Sequence, residues 1–115
     1  MEGNSCIFCS IGKKEIPSEF VYEDADVFAI KDIHPQAPIH ILIIPSKHLS
    51  ALSQEPPSTF NTFGKLVNVA VAIAKTLGVI DSGYRLVVNQ SRDAGQVIDH
   101  LHLHLLAGHH LKAMG

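Results

Sequence analysis

The sequence contains no tryptophan, only two cysteines, and no run of lysine or arginine. Its formal net charge is -2 at pH 7, so nucleic acid is not expected as a bulk electrostatic partner. It shows no secretory signal, and its longest apolar stretch, IHILIIP, is only long enough for one strand. Cys6 and Cys9 are too close together for an ordinary structural disulfide. These features predict a cytoplasmic protein that associates with neither a membrane nor nucleic acid.

The composition is typical of a globular protein. Of the 115 residues, 46% are hydrophobic and 17% are charged, a balance that argues against a disordered chain. A chain of this length can bury a modest core and is typical of one domain, which we place at 1–115.

The order of apolar and turn-forming segments predicts strands interrupted by helices. Expected strands are FVYE (20–23), DVFAIKD (26–32), IHILIIP (39–45), YRLVVNQ (84–90) and VIDHLHLHLLA (97–107). Expected helical segments are a short helix in 6–17 closed by Pro17, one or two turns in 47–53, and a long helix from the N-cap Ser58 to Leu77, stopped by Gly78. The apolar positions of the long helix are Phe60, Phe63, Val67, Ala70, Ala74 and Leu77. This order favours an α+β fold with an antiparallel sheet over repeated βαβ units.

The most unusual segment is HLHLHLL, 100–106. In a strand, His100, His102 and His104 share one face, and the intervening leucines share the other. The row could be a solvent-facing polar strand, a metal site or a catalytic site. Residues two apart on a strand are separated by roughly 6.6–7 Å, so one metal held by all three rings would need a bent strand. In a catalytic site, imidazole can act as nucleophile, acid or base near neutral pH.

Residues that precede the row suit a single phosphate group. Gly95 allows backbone N–H groups to approach a ligand, although taken alone it would be interpreted as an ordinary turn glycine. Gln96 and Asn89 each add an amide. Amides and imidazoles that converge without a basic cluster favour one phosphate over a polyanion.

The sequence resembles the histidine triad (HIT) family. HLHLHLL matches the family signature in full, and DIHPQAPIHILIIPSKH (32–48), GYRLVVNQ (83–90) and the AGQ before the triad are similar to the nucleoside phosphoramidase branch, often called Hint. The similarity runs from about Cys6 to Gly108. It implies an α+β, HIT-like antiparallel sheet with one long helix and a short N-terminal helix. It also implies a homodimer whose strands join into one sheet, and a site for a purine nucleoside monophosphate.

The resemblance implies a role for each histidine of the row. His102 matches the nucleophile that attacks the α-phosphorus of a purine nucleoside 5′-phosphoramidate or a related conjugate. The nucleotidyl-histidine that forms is then hydrolysed to the monophosphate. The carbonyl of His100 would accept the Nδ1 proton of His102, and His104 would stabilise charge on a phosphate oxygen. His40 matches a supporting histidine, although alone it would be interpreted as a core histidine.

The resemblance also implies the nucleotide contacts. Asp32 would accept the ribose hydroxyls, although it could simply cap the turn before Pro35. Ile33 would pack on the base. At position 97 many relatives carry a serine credited with delivering a proton to the leaving amine, and here that position is a valine. The remaining expected contacts, to the phosphate, are from Asn89, Gly95, Gln96, Val97, His102 and His104.

A C-x-x-C spacing is moderate evidence for a metal site, because two thiolates can share one tetrahedral ion. The resemblance supplies two histidines, which gives a predicted structural zinc site of Cys6, Cys9, His48 and His100. The alternative is two reduced cysteines that only pack in the core.

Two other functions also stay open. They are hydrolysis of dinucleoside polyphosphates, and a purine nucleotide-binding regulatory role in which hydrolysis is incidental.

Overall fold

The computed structural model describes residues 6–54 and 61–115. Its helices are α1 (Ile7–Gly12) and α2 (Asn61–Thr76). Its strands are β1 (Phe20–Glu23), β2 (Val27–Lys31), β3 (Ile39–Pro45), β4 (Tyr84–Val87) and β5 (Leu103–Ala107). All neighbouring strands are antiparallel, in the order β1-β2-β3-β5-β4. The predicted α+β fold, with one long and one short helix, is confirmed.

Both faces of the central strand β3 are covered, which explains its continuous apolar sequence. Ile41 and Ile43 pack in the core beneath α2, together with Leu66 of that helix. Leu42 and Ile44 pack in a second core on the other face. That second core includes Cys6, Phe8 and Ile11 at α1, with Phe28 and Ile30 of β2. The face of the sheet that carries α1 is also the face that carries His40.

Helix α2 covers the sheet with an apolar stripe made by Leu66, Val69, Ala70 and Ile73. It ends at Thr76, one residue before the predicted Leu77, and Gly78 follows with a φ of 72°, a left-handed conformation that favours glycine. The predicted N-cap Ser58 and the apolar position Phe60 lie outside the described residues. No helix within 6–54 and 61–115 has the length and apolar character needed to cross a membrane.

The predicted last strand is wrong at its start. The sequence predicts a strand over 97–107, whereas β5 begins at Leu103. If the β3–β5 register continued, Pro45 would face Leu101, and proline has no N–H to donate to a neighbouring strand. The N–H of Leu101 donates instead to the carbonyl of Leu49, in the connection after β3. Two of the three row histidines therefore lie outside the sheet, and the first of them is in a bend.

Other predicted segments are longer than the observed ones. β4 ends at Val87, opposite His104, because its partner β5 begins just beyond that point. Asn89, which lies within the predicted strand, comes after the observed one. Strand β2 spans Val27–Lys31 rather than 26–32, and the first helix ends at Gly12 rather than near Pro17. In the predicted helical segment 47–53, the only described helical turn is the 3-10 turn Leu52–Gln54.

Candidate active site

The leucines of the row anchor it in the core beneath α2. Leu101, Leu103 and Leu105 are at most 1% exposed. Burial of each such side chain contributes about 1.5–3 kcal/mol. The alternation persists although part of the row lies outside the sheet, so the histidines remain on the opposite side from these leucines. A polar run on a solvent-facing strand is therefore excluded, since His100 and His102 are themselves buried.

His102 is held in one tautomer by the backbone. Its Nδ1 lies 2.7 Å from the carbonyl oxygen of His100. Because a carbonyl can only accept a hydrogen bond, His102 carries its proton on Nδ1 and keeps a lone pair on Nε2. The ring of Phe8 packs against it nearly edge-on, at a centroid distance of 5.1 Å and an interplanar angle of 74°. His102 therefore has the proton arrangement that a nucleophilic imidazole requires.

A chain of hydrogen bonds also determines the tautomer of His104. The backbone N–H of Gln36 donates to Nδ1 of His40 over 3.0 Å, so His40 carries its proton on Nε2. That proton lies between Nε2 of His40 and Nδ1 of His104, which are 2.9 Å apart. His104 must then carry its own proton on Nε2. Its Nε2–H is a hydrogen-bond donor suited to a phosphate oxygen.

The electrostatics keep these rings neutral. Burial lowers the pKa of His104 to about 4, with further lowering by His102 and His40 and partial opposition by Asp32. Burial also lowers the pKa of His40, against the opposing effect of the Asp32 carboxylate. At neutral pH both imidazoles are uncharged, so they act by hydrogen bonding rather than as permanent cations.

The four predicted metal ligands come together at the other end of the row. Cys6 Sγ lies 3.2 Å from Nδ1 of His100, and Cys9 Sγ lies 3.3 Å from Nδ1 of His48. All four ligand atoms lie within 4.8 Å of one another. Nε2–H of His100 donates to the carbonyl of Pro45 over 2.9 Å, which leaves its Nδ1 lone pair directed at the sulfurs.

This donor set fits a tetrahedral zinc ion. Bonds of about 2.0–2.3 Å to nitrogen and sulfur require ligand atoms roughly 3.5 Å apart, close to the observed spacings. Burial raises the pKa of the Cys9 thiol to about 11. A bound cation would reverse that effect and stabilise the thiolate.

The predicted phosphate-binding loop is held by its own glutamine. Oε1 of Gln96 accepts the N–H of Ser91 over 2.7 Å, and Nε2 donates to the carbonyl of Ile98 over 3.0 Å. Gly95 has a φ of 87°. The Gln96 side chain therefore braces the loop and would have to exchange these bonds to contact a phosphate.

Two predicted contact residues leave large apolar surface exposed. Ile33 is 82% exposed and Val97 is 92% exposed. Asn89 is half-buried in the segment after β4. None of these three side chains belongs to a hydrophobic core.

Three contributors were not identified from the sequence. Phe8 could have been suspected because it lies between the two cysteines of the C-x-x-C segment. The N–H of Gln36 and the carbonyl of Pro45 are backbone groups, and no residue type in the sequence signals their role.

A cavity of about 510 Å³ lies on the face of the sheet that α2 covers, between α2 and strands β1 to β3. Ile39, Ile41 and Ile73 are among the residues that line it. It reaches Asp32 and His40 at the β2–β3 connection, but it includes no residue of the row. The candidate site is therefore assigned from the chemistry of the histidines rather than from the size of a cavity.

The sequence and fold were compared with those of known proteins. The HIT domain family matches residues 13–111. The chain is 43% identical over 108 residues to the purine nucleoside phosphoramidase of Escherichia coli strain K12, which covers 94% of this chain and 91% of that protein.

Solved structures with the same fold include a histidine triad protein from Clostridium difficile, with a TM-score of 0.92, 41% identity and 96% coverage of both chains. A zinc-bound histidine triad family protein from Mycobacterium smegmatis has a TM-score of 0.80 and 32% identity, covering 90% of this chain and 75% of that one.

Proposed function

Because the chain belongs to the histidine triad (HIT) family and is a nucleotide hydrolase, we propose that it cleaves purine nucleoside 5′-phosphoramidates, or related nucleotide conjugates, to the nucleoside monophosphate. One observation carries this proposal. The His100 carbonyl fixes the Nδ1–H tautomer of His102, which leaves Nε2 free to attack phosphorus.

The reaction would proceed in two displacements. Nε2 of His102 attacks the α-phosphorus, a new N–P bond forms, and the P–N bond to the leaving amine breaks. The leaving amine takes up a proton as it departs, and because Val97 has none to give, that proton would come from water, His104, His40 or the substrate itself. Water then attacks the same phosphorus, which breaks the bond to His102 and releases the monophosphate. In both steps the Nε2–H of His104 would stabilise negative charge on a non-bridging oxygen.

The other predicted contacts complete the nucleotide site. Asp32 would accept the ribose hydroxyls, and the exposed side chain of Ile33 would pack on the base. Asn89 and the backbone around Gly95 would donate to the phosphate, and the exposed Val97 would border the leaving group. Gln96 supports this arrangement by bracing the loop.

The substrate class is tested by comparing adenosine 5′-phosphoramidate with diadenosine tetraphosphate. We expect release of adenosine monophosphate from the phosphoramidate at a kcat/KM at least about tenfold higher, equivalent to about 1.4 kcal/mol of transition-state stabilisation. Faster cleavage of the dinucleotide would instead assign a dinucleoside polyphosphate hydrolase. Tight binding of adenosine monophosphate without turnover of either compound would assign a nucleotide-binding regulator.

We also propose that Cys6, Cys9, His48 and His100 bind zinc. A set of four protein ligands closes the coordination shell, so the ion would be structural and would leave no position for a reactive water. When bound, it supplies a link between α1, the end of β3 and the row. His100 would contribute its side chain to the ion and its carbonyl to His102, as a support that orients the nucleophile.

A homodimer is the third part of the proposal. Among the described residues, β4 is hydrogen-bonded to β5 alone, which leaves one of its edges open. The other outer strand, β1, has a register irregularity between Phe20 and Tyr22, a feature that discourages pairing. Pairing of β4 with its twofold copy would continue the sheet and cover the open edge.

Light scattering tests the oligomeric state directly. We expect twice the mass of one chain at micromolar concentration, because an open antiparallel edge is covered only when two copies meet. A mass of one chain throughout a dilution series would contradict the dimer. The result is independent of catalysis, so it can be interpreted even for an inactive preparation.

The chain is proposed to act in the cytoplasm, as one domain over 1–115. Both cysteines are free thiols, which is consistent with a reducing compartment. The low net charge and the absence of a basic run continue to support a small nucleotide, rather than nucleic acid, as the ligand.

A further inference from the structure

The peptide group between His100 and Leu101 decides the tautomer of His102, and it is held on both sides. Its carbonyl accepts the Nδ1–H of His102, and its N–H donates to the carbonyl of Leu49. Because a peptide group is planar, the direction of that N–H also sets the direction of the carbonyl. Whatever holds the Leu49 segment and the start of the row therefore orients the nucleophile.

The side-chain amide of Gln96 reaches both supports of this peptide group. Its Nε2 donates over 3.0 Å to the carbonyl of Ile98, which also accepts the N–H of His100 over 2.9 Å. Nε2 also donates over 3.4 Å to the carbonyl of Ser50, the residue that follows Leu49. Gln96 therefore joins the start of the row to the segment that follows β3.

The orientation of this amide leaves it no N–H for a phosphate. Oε1 accepts the N–H of Ser91 over 2.7 Å, so both N–H groups point to the carbonyls of Ile98 and Ser50. Turning the amide over would place N–H against N–H and oxygen against two carbonyls. An ionised phosphate accepts hydrogen bonds and donates none. The Gln96 side chain therefore supports the backbone around the site rather than the ligand.

Gln96 also holds the loop in a conformation that serine disfavours. Ser91 has a φ of 69° and a ψ of -174°, a region that is essentially restricted to glycine. The Ser91 side chain makes no capping hydrogen bond that would offset this strain. The conformation is held by the bond from the Ser91 N–H to Oε1 of Gln96 and by the Gln96 N–H, which donates to the Ser91 carbonyl over 3.1 Å.

We propose that Gln96 is a positioning residue for the nucleophile rather than a phosphate ligand. It holds the strained turn at Ser91 against the carbonyls of Ile98 and Ser50. It thereby fixes the peptide group whose carbonyl confines the His102 proton to Nδ1. Without Gln96 that peptide group is free to rotate, and the proton exchanges between the two ring nitrogens. The inference rests on the proposed nucleotide hydrolysis, because it assigns Gln96 an effect on the chemical step.

Kinetics of Gln96 variants separate this role from phosphate binding. Gln96→Ala should lower kcat for adenosine 5′-phosphoramidate by about tenfold, roughly the value of one well-placed hydrogen bond. The affinity for adenosine monophosphate should change by less than about threefold, because no ligand contact is removed. A tenfold loss of affinity with kcat unaltered would identify Gln96 as a phosphate ligand and overturn the inference.

Two further variants make these kinetics robust. Gln96→Met removes the same three side-chain hydrogen bonds with little change in side-chain length, so it should reproduce the loss of kcat even if the alanine variant folds poorly. Asp93→Asn alters an exposed side chain in the same loop and should leave kcat within about twofold. An equal loss of kcat in Asp93→Asn would show that the effect is not specific to Gln96.

A second substitution at Ser91 provides the discriminating test. Glycine adopts the Ser91 conformation without strain, so Ser91→Gly should keep the turn formed through the backbone bond from the N–H of residue 96. Added to Gln96→Ala, it should restore kcat by at least about threefold. Ser91→Ala also removes the hydroxyl but keeps the Cβ atom, so it should restore nothing. Equal kcat values for the two double variants would contradict the proposed role.

A spectroscopic measurement examines His102 without substrate. In ring-¹⁵N-histidine-labelled protein, His102 should show a protonated Nδ1 and an unprotonated Nε2. Gln96→Ala should move the two ¹⁵N shifts towards each other, because exchange between tautomers averages them, and the added Ser91→Gly should reverse this change. Unchanged His102 signals in Gln96→Ala would remove Gln96 from this role. Failure of phosphoramidate turnover, with these shifts as expected, would instead refute the proposed substrate alone.

Discussion

Replacement of His102 by alanine is expected to lower the turnover of adenosine 5′-phosphoramidate by about 10⁴-fold or more, because removing a covalent nucleophile eliminates the two-step route. The affinity for adenosine monophosphate should change by less than about threefold, which corresponds to a loss of less than roughly 0.7 kcal/mol of binding free energy. The ribose, base and phosphate contacts proposed for Asp32, Ile33 and Asn89 do not involve His102. Single-turnover kinetics and calorimetric titration measure the two effects separately.

A matched control is available in the tail that follows β5. His110 is exposed, and His110→Ala should leave turnover within about twofold, the range expected for a surface substitution that perturbs nothing. Quenching the reaction of the unaltered protein should trap phosphorus-linked nucleotide on His102. Near-full activity of His102→Ala, or label trapped on another residue, would show that the covalent mechanism is wrong.

Loss of the proposed metal site is expected to have the largest effect on stability. Cys9→Ser should abolish most zinc binding, because the remaining ligands no longer close a tetrahedral thiolate–imidazole set. Binding energy at a structural site appears as folding energy, since the unfolded chain presents no preformed site. A loss of only about 2 kcal/mol in the free energy of unfolding would lower the melting temperature by about 10 °C in a domain of this size.

The effect of Cys9→Ser on activity should be smaller than that of His102→Ala. His100 keeps its backbone carbonyl, and with it the tautomer of His102, whether or not an ion is bound. Ser10→Ala alters the adjacent residue of α1 and should leave the zinc content unchanged. Elemental analysis and thermal melts with and without a chelator provide the readouts. Protein without zinc, whose melting temperature responds to neither the chelator nor Cys9→Ser, would identify the cysteines as packing residues.

The proposed zinc site and the proposed nucleophile are physically connected through α1. Phe8, between the two cysteines, packs edge-on against both His100 and His102, at centroid distances of 5.8 and 5.1 Å. Loss of the metal would therefore loosen the ring that confines the nucleophile. This contact explains why some loss of activity, rather than none, is expected from Cys9→Ser.

Local patterns in the sequence determined most of the fold. The alternation in HLHLHLL separates leucines from histidines whatever the exact strand boundary, because an extended chain directs successive side chains to opposite sides. The helical period of α2 and the stop at Gly78 also follow from short-range chemistry. The stripe was predicted only in part, because the helix buries Leu66, Val69 and Ile73, whereas the predicted Leu77 is 44% exposed. The family resemblance, carried by particular motifs, supplied the two histidines of the proposed zinc site, which spacing alone could not have chosen.

Tertiary structure alone decided how the protons of the site are arranged. The contacts that determine them join residues far apart in sequence, such as His40 with His104 and Cys6 with His100, and neither distance follows from a local pattern. The decisive partners also include the Gln36 N–H, which every residue type but proline could provide, and the carbonyls of Pro45 and His100, which any residue type could provide. The sequence by itself therefore determined which imidazoles face the site, whereas the fold determined which nitrogen of each carries the proton, because a tautomer depends on the group placed opposite the ring.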